Sequence, residues 1–371
     1  MSFLLSMNAI VPMLCVTAAA IAAMVAEAFR SPGERMPIGP LGAIGLAGAA
    51  IACALLWNHN TSSFGVVQAD NFGLFVTWVL IIVGLLSLAF SGPTIEREHL
   101  AQGEYYALML FAIAGMMLMA TASDLLIIFL ALEVLSLAVY VLTGIRRDSP
   151  LGTEAALKYF LLGAFSSAFF LYGIAFTYGV TGSTRLDRVG SLIAAQALAP
   201  TPMQLLALGL LLVGFAFKVS AVPFHMWTPD AYEGAPPAVT GFMSTGVKAA
   251  AFAAFVRVFL SAFEPLRAEW GAVIWVLSNS TARIPLRRTS CSWPFRTWVV
   301  VNALAKKPPG KFWSLSKSTR SSRNGSGGEI PLLHGVSVVG VITAAHRSTR
   351  SLYRRLISPP RAVMRRSMAV L

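Results

Sequence analysis

Hydrophobic residues in this chain form long runs instead of the short alternating patterns of soluble proteins. Eight runs are each close to the roughly 20 apolar residues that a helix needs to cross a bilayer. They lie at about 1–26, 37–57, 72–90, 105–121, 125–144, 153–178, 203–216 and 237–263. A ninth run begins near Trp270 and loses its pattern after Leu277. The pattern therefore predicts an all-α polytopic membrane protein of about eight to nine transmembrane helices.

The seventh run ends in a segment that departs from an uninterrupted membrane helix. A lysine near mid-membrane is costly and normally faces protein or water, and Lys218 stands at the end of this run. Pro223 lacks a backbone N–H and its ring crowds the preceding turn, which predicts a helix break there. His225 follows, and a histidine can pass a proton through either ring nitrogen. The segment indicates part of a proton path; the alternative is a lysine that reaches the interface from a helix ending at Pro223.

Three more ionisable residues lie within the apolar runs. Glu133 is about 12 Å along the fifth helix, where an unpaired carboxylate would protonate, so a nearby lysine would explain its presence. The alternative is a neutral Glu133 that is hydrogen-bonded to a neighbouring helix. Lys248 lies too deep in the eighth run for its side chain to reach the membrane interface easily. Lys158 lies near the start of the sixth run, so the alternative for it is a side chain that extends to the interface. With Lys218 and His225, these residues are the candidates for a proton relay.

Composition supports the membrane assignment and separates the last part of the chain. The 371 residues are 56% hydrophobic and 12% charged, which is far from the composition of a soluble domain. Residues 1–279 hold 12 Lys and Arg against 15 Asp and Glu, a net of −3, and residues 280–371 hold 17 against 1, a net of +16. The basic charge therefore belongs to the tail, and we predict no nucleic-acid partner for the chain. The preferred interpretation of 279–371 is out-of-frame translation, and the alternative is a disordered basic extension that touches anionic lipid or nucleic acid.

Motifs for redox cofactors or metals are absent from the sequence. Cys15, Cys53 and Cys291 have no metal-ligand spacing, and no GxGxxG follows a strand pattern. The methionines Met116, Met117 and Met119 stand at helical spacing, which is more typical of packing than of a metal site. We therefore predict no cofactor and no metal site in this chain.

The segments described above carry a resemblance to a known family. The stretch FKVSAVPFHMWTPDAYEGAP at 217–236, with LEVLSL at 132–137 and STGVKAA at 244–250, resembles subunit N of bacterial NADH-quinone oxidoreductase, the respiratory complex I. That family belongs to the antiporter-like membrane subunits. The resemblance implies that Glu133 pairs with Lys218, the central protonatable lysine of a broken helix. It also implies that His225 is a connecting relay residue, that Lys248 is the next lysine inward, and that Lys158 has a less settled role.

The resemblance covers about residues 1–278 and implies a domain organisation. The family has fourteen spans built from two inverted five-helix repeats. Residues 1–104 match the three leading helices, and 105–278 match the first repeat with the start of a ninth helix. The second repeat has no counterpart in 279–371. The resemblance thus implies a half-path for protons to Lys218 and Lys248, with the other half-path missing.

The resemblance also implies a function. The chain is expected to be a proton-translocating membrane subunit of NADH:quinone oxidoreductase in the bacterial inner membrane, in contact with lipid and with other membrane and peripheral subunits. NADH, flavin, Fe–S clusters and quinone are expected in those partner subunits. The alternatives are a subunit of a multisubunit cation/proton antiporter, with the same lysine and carboxylate chemistry, or a truncated remnant that transports nothing.

Overall fold

The computed structural model describes residues 8–29, 38–195 and 199–282. Eight helical segments in this part of the chain are long and apolar enough to cross a membrane. The expected helical membrane fold is therefore confirmed, and the predicted spans agree with the observed ones to within a few residues at most of their ends. The interpretation of the tail falls almost entirely on 283–371, which lie outside the described residues.

Twelve α-helices and two short strands follow one another along the described residues. They are α1 (Val11–Ala28), α2 (Ile38–Leu56), β1 (Thr61–Ser63), β2 (Val67–Ala69), α3 (Asn71–Arg97), α4 (Gln102–Thr121), α5 (Leu125–Thr143), α6 (Pro150–Thr181), α7 (Leu186–Ala195), α8 (Pro202–Val219), α9 (Trp227–Gly234), α10 (Pro237–Phe242), α11 (Lys248–Ser261) and α12 (Arg267–Ala282). A π-helical segment, Met243–Val247, joins α10 to α11, so that these three pieces form one span.

Polar side chains at the helix starts explain several of these boundaries. Asp70 accepts a hydrogen bond from a backbone N–H in the first turn of α3, and Asp124 does the same for α5. Thr201 and Gln204 form a reciprocal capping box at the start of α8. Each cap satisfies backbone N–H groups that have no partner inside the helix. Asp124 thus provides the cap at the tight link between α4 and α5.

Helix α4 occupies the centre of the bundle. In its apolar window 78% of the residues are buried, the largest share of the eight spans. It packs against α1, α3, α5 and α11. Close approach depends on small residues, because a Cβ added at Gly115 would lie 2.9 Å from the backbone nitrogen of Leu135 on α5. The methionines Met116, Met117 and Met119 are buried here as core side chains.

Helix α6 lies antiparallel to both α5 and α8. The Tyr140 ring of α5 meets Tyr159 at 4.6 Å between centroids. On the other side, Phe170 of α6 meets Phe215 of α8 at 5.0 Å, and a Cβ at Gly173 would lie 2.9 Å from the Leu211 nitrogen. Residues later in α6 therefore face residues earlier in α8. These contacts fix which turns of the three helices lie side by side.

Two elements were missed by the sequence analysis. Strands β1 and β2 pair antiparallel between α2 and α3, which adds a small hairpin to the expected all-α fold. Helix α7 lies between the sixth and seventh apolar runs, where the hydrophobic pattern predicts no membrane helix. It buries four residues at helical spacing, Leu186, Val189, Gly190 and Ile193. That spacing is visible in the sequence, but ten residues are too few to stand out beside membrane-length runs.

Candidate functional site

The site is built around the interrupted end of α8. Helix α8 stops at Val219 because Ser220 takes a left-handed conformation (φ 59°), and the chain then runs without regular structure until α9 begins at Trp227. Pro223, where the break was expected, lies inside this interruption. The last carbonyl groups of a helix lack intrahelical partners and carry partial negative charge. The end of α8 therefore offers acceptors for buried donors.

Lys218 is buried in the last turn of α8. Its side chain is 3% exposed, and Nζ donates to Ser136 Oγ at 2.6 Å and to Tyr140 Oη at 3.3 Å, both on α5. Ser136 Oγ donates in turn to the carbonyl of Leu132. A buried lysine with neutral hydroxyl partners is an unusual arrangement, because a charged ammonium normally needs an anion to offset its desolvation. The ammonium group of Lys218 thus has only hydroxyl groups as hydrogen-bond partners among the described residues.

Lys248 approaches the same helix end from α11. It is 1% exposed, and Nζ donates to the Lys218 carbonyl at 2.8 Å and to Ser220 Oγ. The Trp227 ring lies 4.6 Å from this Nζ, within the range of a cation–π contact. The π-helical segment Met243–Val247 ends directly before Lys248 and so sets the direction in which its side chain leaves the helix.

Lys218 and Lys248 both lie at the carboxyl end of α8. The negative end of α8 stabilises a cation there. A second positive charge in the same apolar core would be repelled by the first.

Glu133 is not paired with Lys218 in this structure, contrary to the expectation. No ion pair within 4.0 Å joins them among the described residues, and Glu133 Oε1 is buried without a hydrogen-bond partner there. The reason lies in helix geometry: Ser136 and Tyr140, four residues apart, face α8 and reach the ammonium first. Glu133 stands one turn before Ser136 on the same helix.

The other two candidates lie nearer to the ends of the helices. Lys158 is about half exposed and forms ion pairs with Glu154 at 2.7 Å and Asp230 at 3.0 Å, so it does not join the buried lysines. The sequence analysis does not predict the ion pair between Lys158 and Asp230. His225 lies in the interruption after α8, and its Nδ1 is buried without a partner among the described residues. No group of three or more His, Cys, Asp or Glu that could hold a metal ion occurs in that part of the chain.

Comparison with known proteins finds relatives over about three quarters of this chain. Residues 122–284 match the family described as "NADH:quinone oxidoreductase/Mrp antiporter, TM". NADH-quinone oxidoreductase subunit N of Trichlorobacter lovleyi is 42% identical over 281 residues, which are 76% of this chain and 58% of that protein. The chain belongs to this antiporter-like family. The corresponding protein of Chloroflexus aggregans is 39% identical over 274 residues, 73% of this chain and 56% of that protein.

Solved structures of the antiporter-like family show the same fold. Respiratory complex I from Thermus thermophilus contains a chain that is 34% identical, with a TM-score of 0.61 over 79% of this chain and 62% of that one. The Mrp complex from Dietzia sp. gives a TM-score of 0.64 at 22% identity, covering 81% and 57%. The present chain therefore spans less than two thirds of the length of these relatives.

The hydroxyl partners of the lysines in this antiporter-like chain were not found from the sequence. Ser136 and Tyr140 stand three and seven residues after Glu133, which places all three on one face of α5. That spacing was a usable signal. Ser220 and Trp227 gave no comparable signal, because their contacts with Lys248 depend on the path of the chain after α8.

Gly163 on α6 makes room for the Tyr140 side chain. A Cβ added there would overlap the Tyr140 hydroxyl and lie 2.6 Å from its Cζ. We expect Gly163→Ala to displace Tyr140 from Lys218 and to lower the free energy of unfolding by about 1–3 kcal/mol, as overpacking does. Thermal unfolding of the purified chain in detergent measures the change.

Gly209 provides a matched control for that substitution. It lies on the neighbouring helix α8, and an added Cβ would meet nothing within 4 Å. Because alanine is the better helix former by about 1 kcal/mol, Gly209→Ala should leave stability unchanged or slightly raised. Equal effects of the two substitutions would show that the space at Gly163 does not matter.

Proposed function

We propose that this chain is a proton-translocating membrane component of an NADH:quinone oxidoreductase. The observation that carries the proposal is the buried pair Lys218 and Lys248 at the interrupted end of α8, in a chain 42% identical to a subunit N. Electron transfer from NADH to quinone in partner subunits would drive the protonation changes of the lysines. The chain thereby takes part in an enzyme reaction as a translocase without carrying out the redox step.

Movement of Lys218 between two sets of acceptors is the proposed mechanism. Burial favours the neutral amine, and a nearby carboxylate favours the ammonium. With its Nζ on Ser136 and Tyr140, Lys218 has neutral partners and releases its proton more readily. With its Nζ on Glu133, it holds the proton. A movement of a few ångströms in this part of α5 and α8 would thus switch the lysine between release and uptake.

The remaining candidates take supporting places in this proposal. Lys248 follows Lys218 in the proposed path, and its Nζ donates to the Lys218 carbonyl. His225 lies beside that end and carries protons between the interruption and the lysines. Lys158, with its carboxylate partners Glu154 and Asp230, is a proton-collecting group near the start of α6.

Cofactors and partners follow from the family. We propose that NADH, flavin, Fe–S clusters and quinone are bound by other membrane and peripheral subunits, and that this chain lies among them and lipid in a bacterial inner membrane. The similarity to the Mrp complex, at 22% identity, supports the fold alone and gives no separate argument for cation exchange.

Purification of the tagged chain from its own membranes tests the proposal. The expected result is a preparation that contains further subunits and reduces quinone with NADH, while the chain alone, separated in denaturing detergent and refolded, oxidises no NADH and carries no chromophore. Cation/proton exchange in a preparation without NADH oxidation would contradict the proposed function. A stoichiometric redox cofactor in the isolated chain would contradict the division of roles.

A further inference from the structure

Three buried aromatic rings form a continuous stack from Lys218 to Lys248. The Lys218 Nζ lies 5.5 Å from the ring centroid of Tyr140 on α5. The Tyr140 ring meets Tyr159 of α6 edge to face, with 4.6 Å between the centroids and 88° between the planes. Tyr159 in turn stacks on Trp227 of α9, with 4.3 Å between the centroids and 4° between the planes. The Lys248 Nζ lies 4.6 Å from the Trp227 centroid, so the stack ends on the second ammonium group.

The plane of the Trp227 ring is set from two sides. Its Nε1 donates to the carbonyl of Phe217 at 3.1 Å, which fixes one edge of the indole. The Phe217 ring itself lies farther off, at 5.3 Å and 28°. A hydrogen bond at one edge lets the indole tilt about that edge, whereas the parallel ring of Tyr159 covers a face. Tyr159 therefore opposes a tilt of the indole ring.

Such a tilt matters because the face of an aromatic ring attracts a cation and its edge does not. The contact between Lys248 and Trp227 thus depends on the plane of the ring as well as on the distance. Tyr140 has a comparable place at the other end, since its Oη accepts from the Lys218 Nζ at 3.3 Å. Tyr159 packs against both rings. One side chain of α6 therefore bears on the surroundings of both lysines.

Helix α6 holds α9 at two neighbouring residues. Lys158 pairs with Asp230 at 3.0 Å, and Tyr159 stacks on Trp227. Trp227 and Asp230 are three residues apart and so share a face of α9. The side chains of the ion pair are about half exposed, and an exposed ion pair stabilises little. The buried stack therefore contributes most of this attachment.

We propose that Tyr159 is a positioning residue for both lysines, which holds the Trp227 ring against Lys248 and the Tyr140 ring against Lys218. The stack does not depend on the proposed function, whereas its part in proton transport rests on that function. Both contacts of Tyr159 in the stack are made by its ring. Phenylalanine should therefore replace Tyr159, and leucine should not.

Fluorine NMR of the purified full chain tests the positioning of Trp227. The chain is labelled with 5-fluorotryptophan, and the Trp227 resonance is the one that disappears in Trp227→Phe. Tyr159→Leu should move this resonance, because it removes the stacked ring, and Lys248→Met should move it by removing the cation. Tyr159→Phe keeps the ring and should leave the resonance in place. A Trp227 resonance that Tyr159→Leu does not move would overturn the positioning.

Proton pumping by the intact complex tests the role of the ring. Tyr159→Leu should lower the ratio of protons moved to NADH oxidised by about tenfold, the range expected for losing one desolvated cation–π contact. Tyr159→Phe should retain the ratio. Tyr172→Leu is the matched control and should also retain it, since Tyr172 lies on the same helix and is 63% exposed. Equal ratios for Tyr159→Leu and the unchanged complex would overturn the role.

The ratio also separates positioning from a merely structural role. Poor assembly lowers pumping and NADH oxidation together and leaves their ratio unchanged. Tyr159→Met is a second variant, which fills the same space with a flexible side chain and should lower the ratio as leucine does. If neither variant assembled into the complex, Tyr159 would be a residue required for folding, and the positioning role would be overturned.

The two experiments separate the inference from the proposed function. A Trp227 resonance that moves in Tyr159→Leu, without any NADH-driven pumping by the unchanged complex, would support the stack and contradict the proposed function. Pumping that depends on Lys218 but not on Tyr159, with an unmoved resonance, would support the proposed function and overturn the inference.

Discussion

Replacing Lys218 by alanine is expected to lower NADH-driven proton pumping by about a hundredfold, the loss typical of removing a proton-transferring side chain. The substitution removes the only group that links the hydroxyls of Ser136 and Tyr140 to the end of α8 among the described contacts. Glu133→Gln should have a similar effect, because a neutral amide offers the ammonium no charge. Acidification of membrane vesicles, measured together with NADH oxidation, gives the protons moved per electron pair.

The arginine variant separates charge from proton release. Lys218→Arg keeps a cation at the end of α8, but a guanidinium group does not release its proton in a protein. Pumping should therefore be lost although the complex assembles. Arg188→Ala on the exposed face of α7 is the control and should change nothing. Pumping that survives either Lys218→Ala or Glu133→Gln would contradict the assignment of this site.

The membrane helices were predictable because each long apolar run has only one stable form in a bilayer. The predicted fifth span, 125–144, differs by one residue from α5 (Leu125–Thr143). Where the helix leaves the hydrocarbon, the hydrophobic signal ends before the helix does. Helix α3 continues to Arg97 through Pro93, although the apolar run stops near Phe90.

The ionisable residues of the candidate site could be predicted from the sequence, but the hydrogen-bond partners of the two lysines could not. Lys218 and Lys248 are rare residue types in apolar runs, so their burial followed from the sequence. Which acceptor Lys218 contacts depends on the rotation of α5 relative to α8. In the structure the ammonium group contacts the hydroxyl of Ser136, one turn from Glu133, instead of the Glu133 carboxylate. The contact between Lys248 and the Lys218 carbonyl depends on the end of α8 at Ser220, three residues before the proline that signalled the break.

A buried ion pair ties the start of α3 to α11 at a distance from the lysines. Arg257 donates to Asp70 Oδ1 at 2.5 Å and to the carbonyl of Ala120 at 3.0 Å. Its side chain is 9% exposed, and that of Asp70 is 23% exposed. The guanidinium also lies 5.4 Å from the Phe72 ring centroid. One arginine thus holds the ends of three helices together.

Replacing Asp70 by alanine is expected to lower the free energy of unfolding by about 3–5 kcal/mol, because the change leaves a buried guanidinium without its anion. The helix cap of α3 is lost as well, which contributes about 1 kcal/mol of that total. Asp70→Asn keeps the cap and removes only the charge, so its effect should be smaller by about the cap contribution. Unfolding of the purified chain by sodium dodecyl sulfate in mixed micelles measures all three forms.

The exposed pair Arg185 and Asp187 is the matched control, since it joins the same two residue types at 3.0 Å. Hydrogen bonding to Arg185 lowers the pKa of Asp187 below its ordinary value of 3.8. The stabilisation that this pair gives is therefore present above that value and fades as the pH falls through the lowered pKa. Because both side chains are largely in solvent, Asp187→Ala should cause no resolvable change at neutral pH. If Asp70→Ala lowered the free energy of unfolding as little as Asp187→Ala, the burial of the Arg257 pair would not contribute to stability. The helix ends at Asp70 would then be stabilised by packing instead.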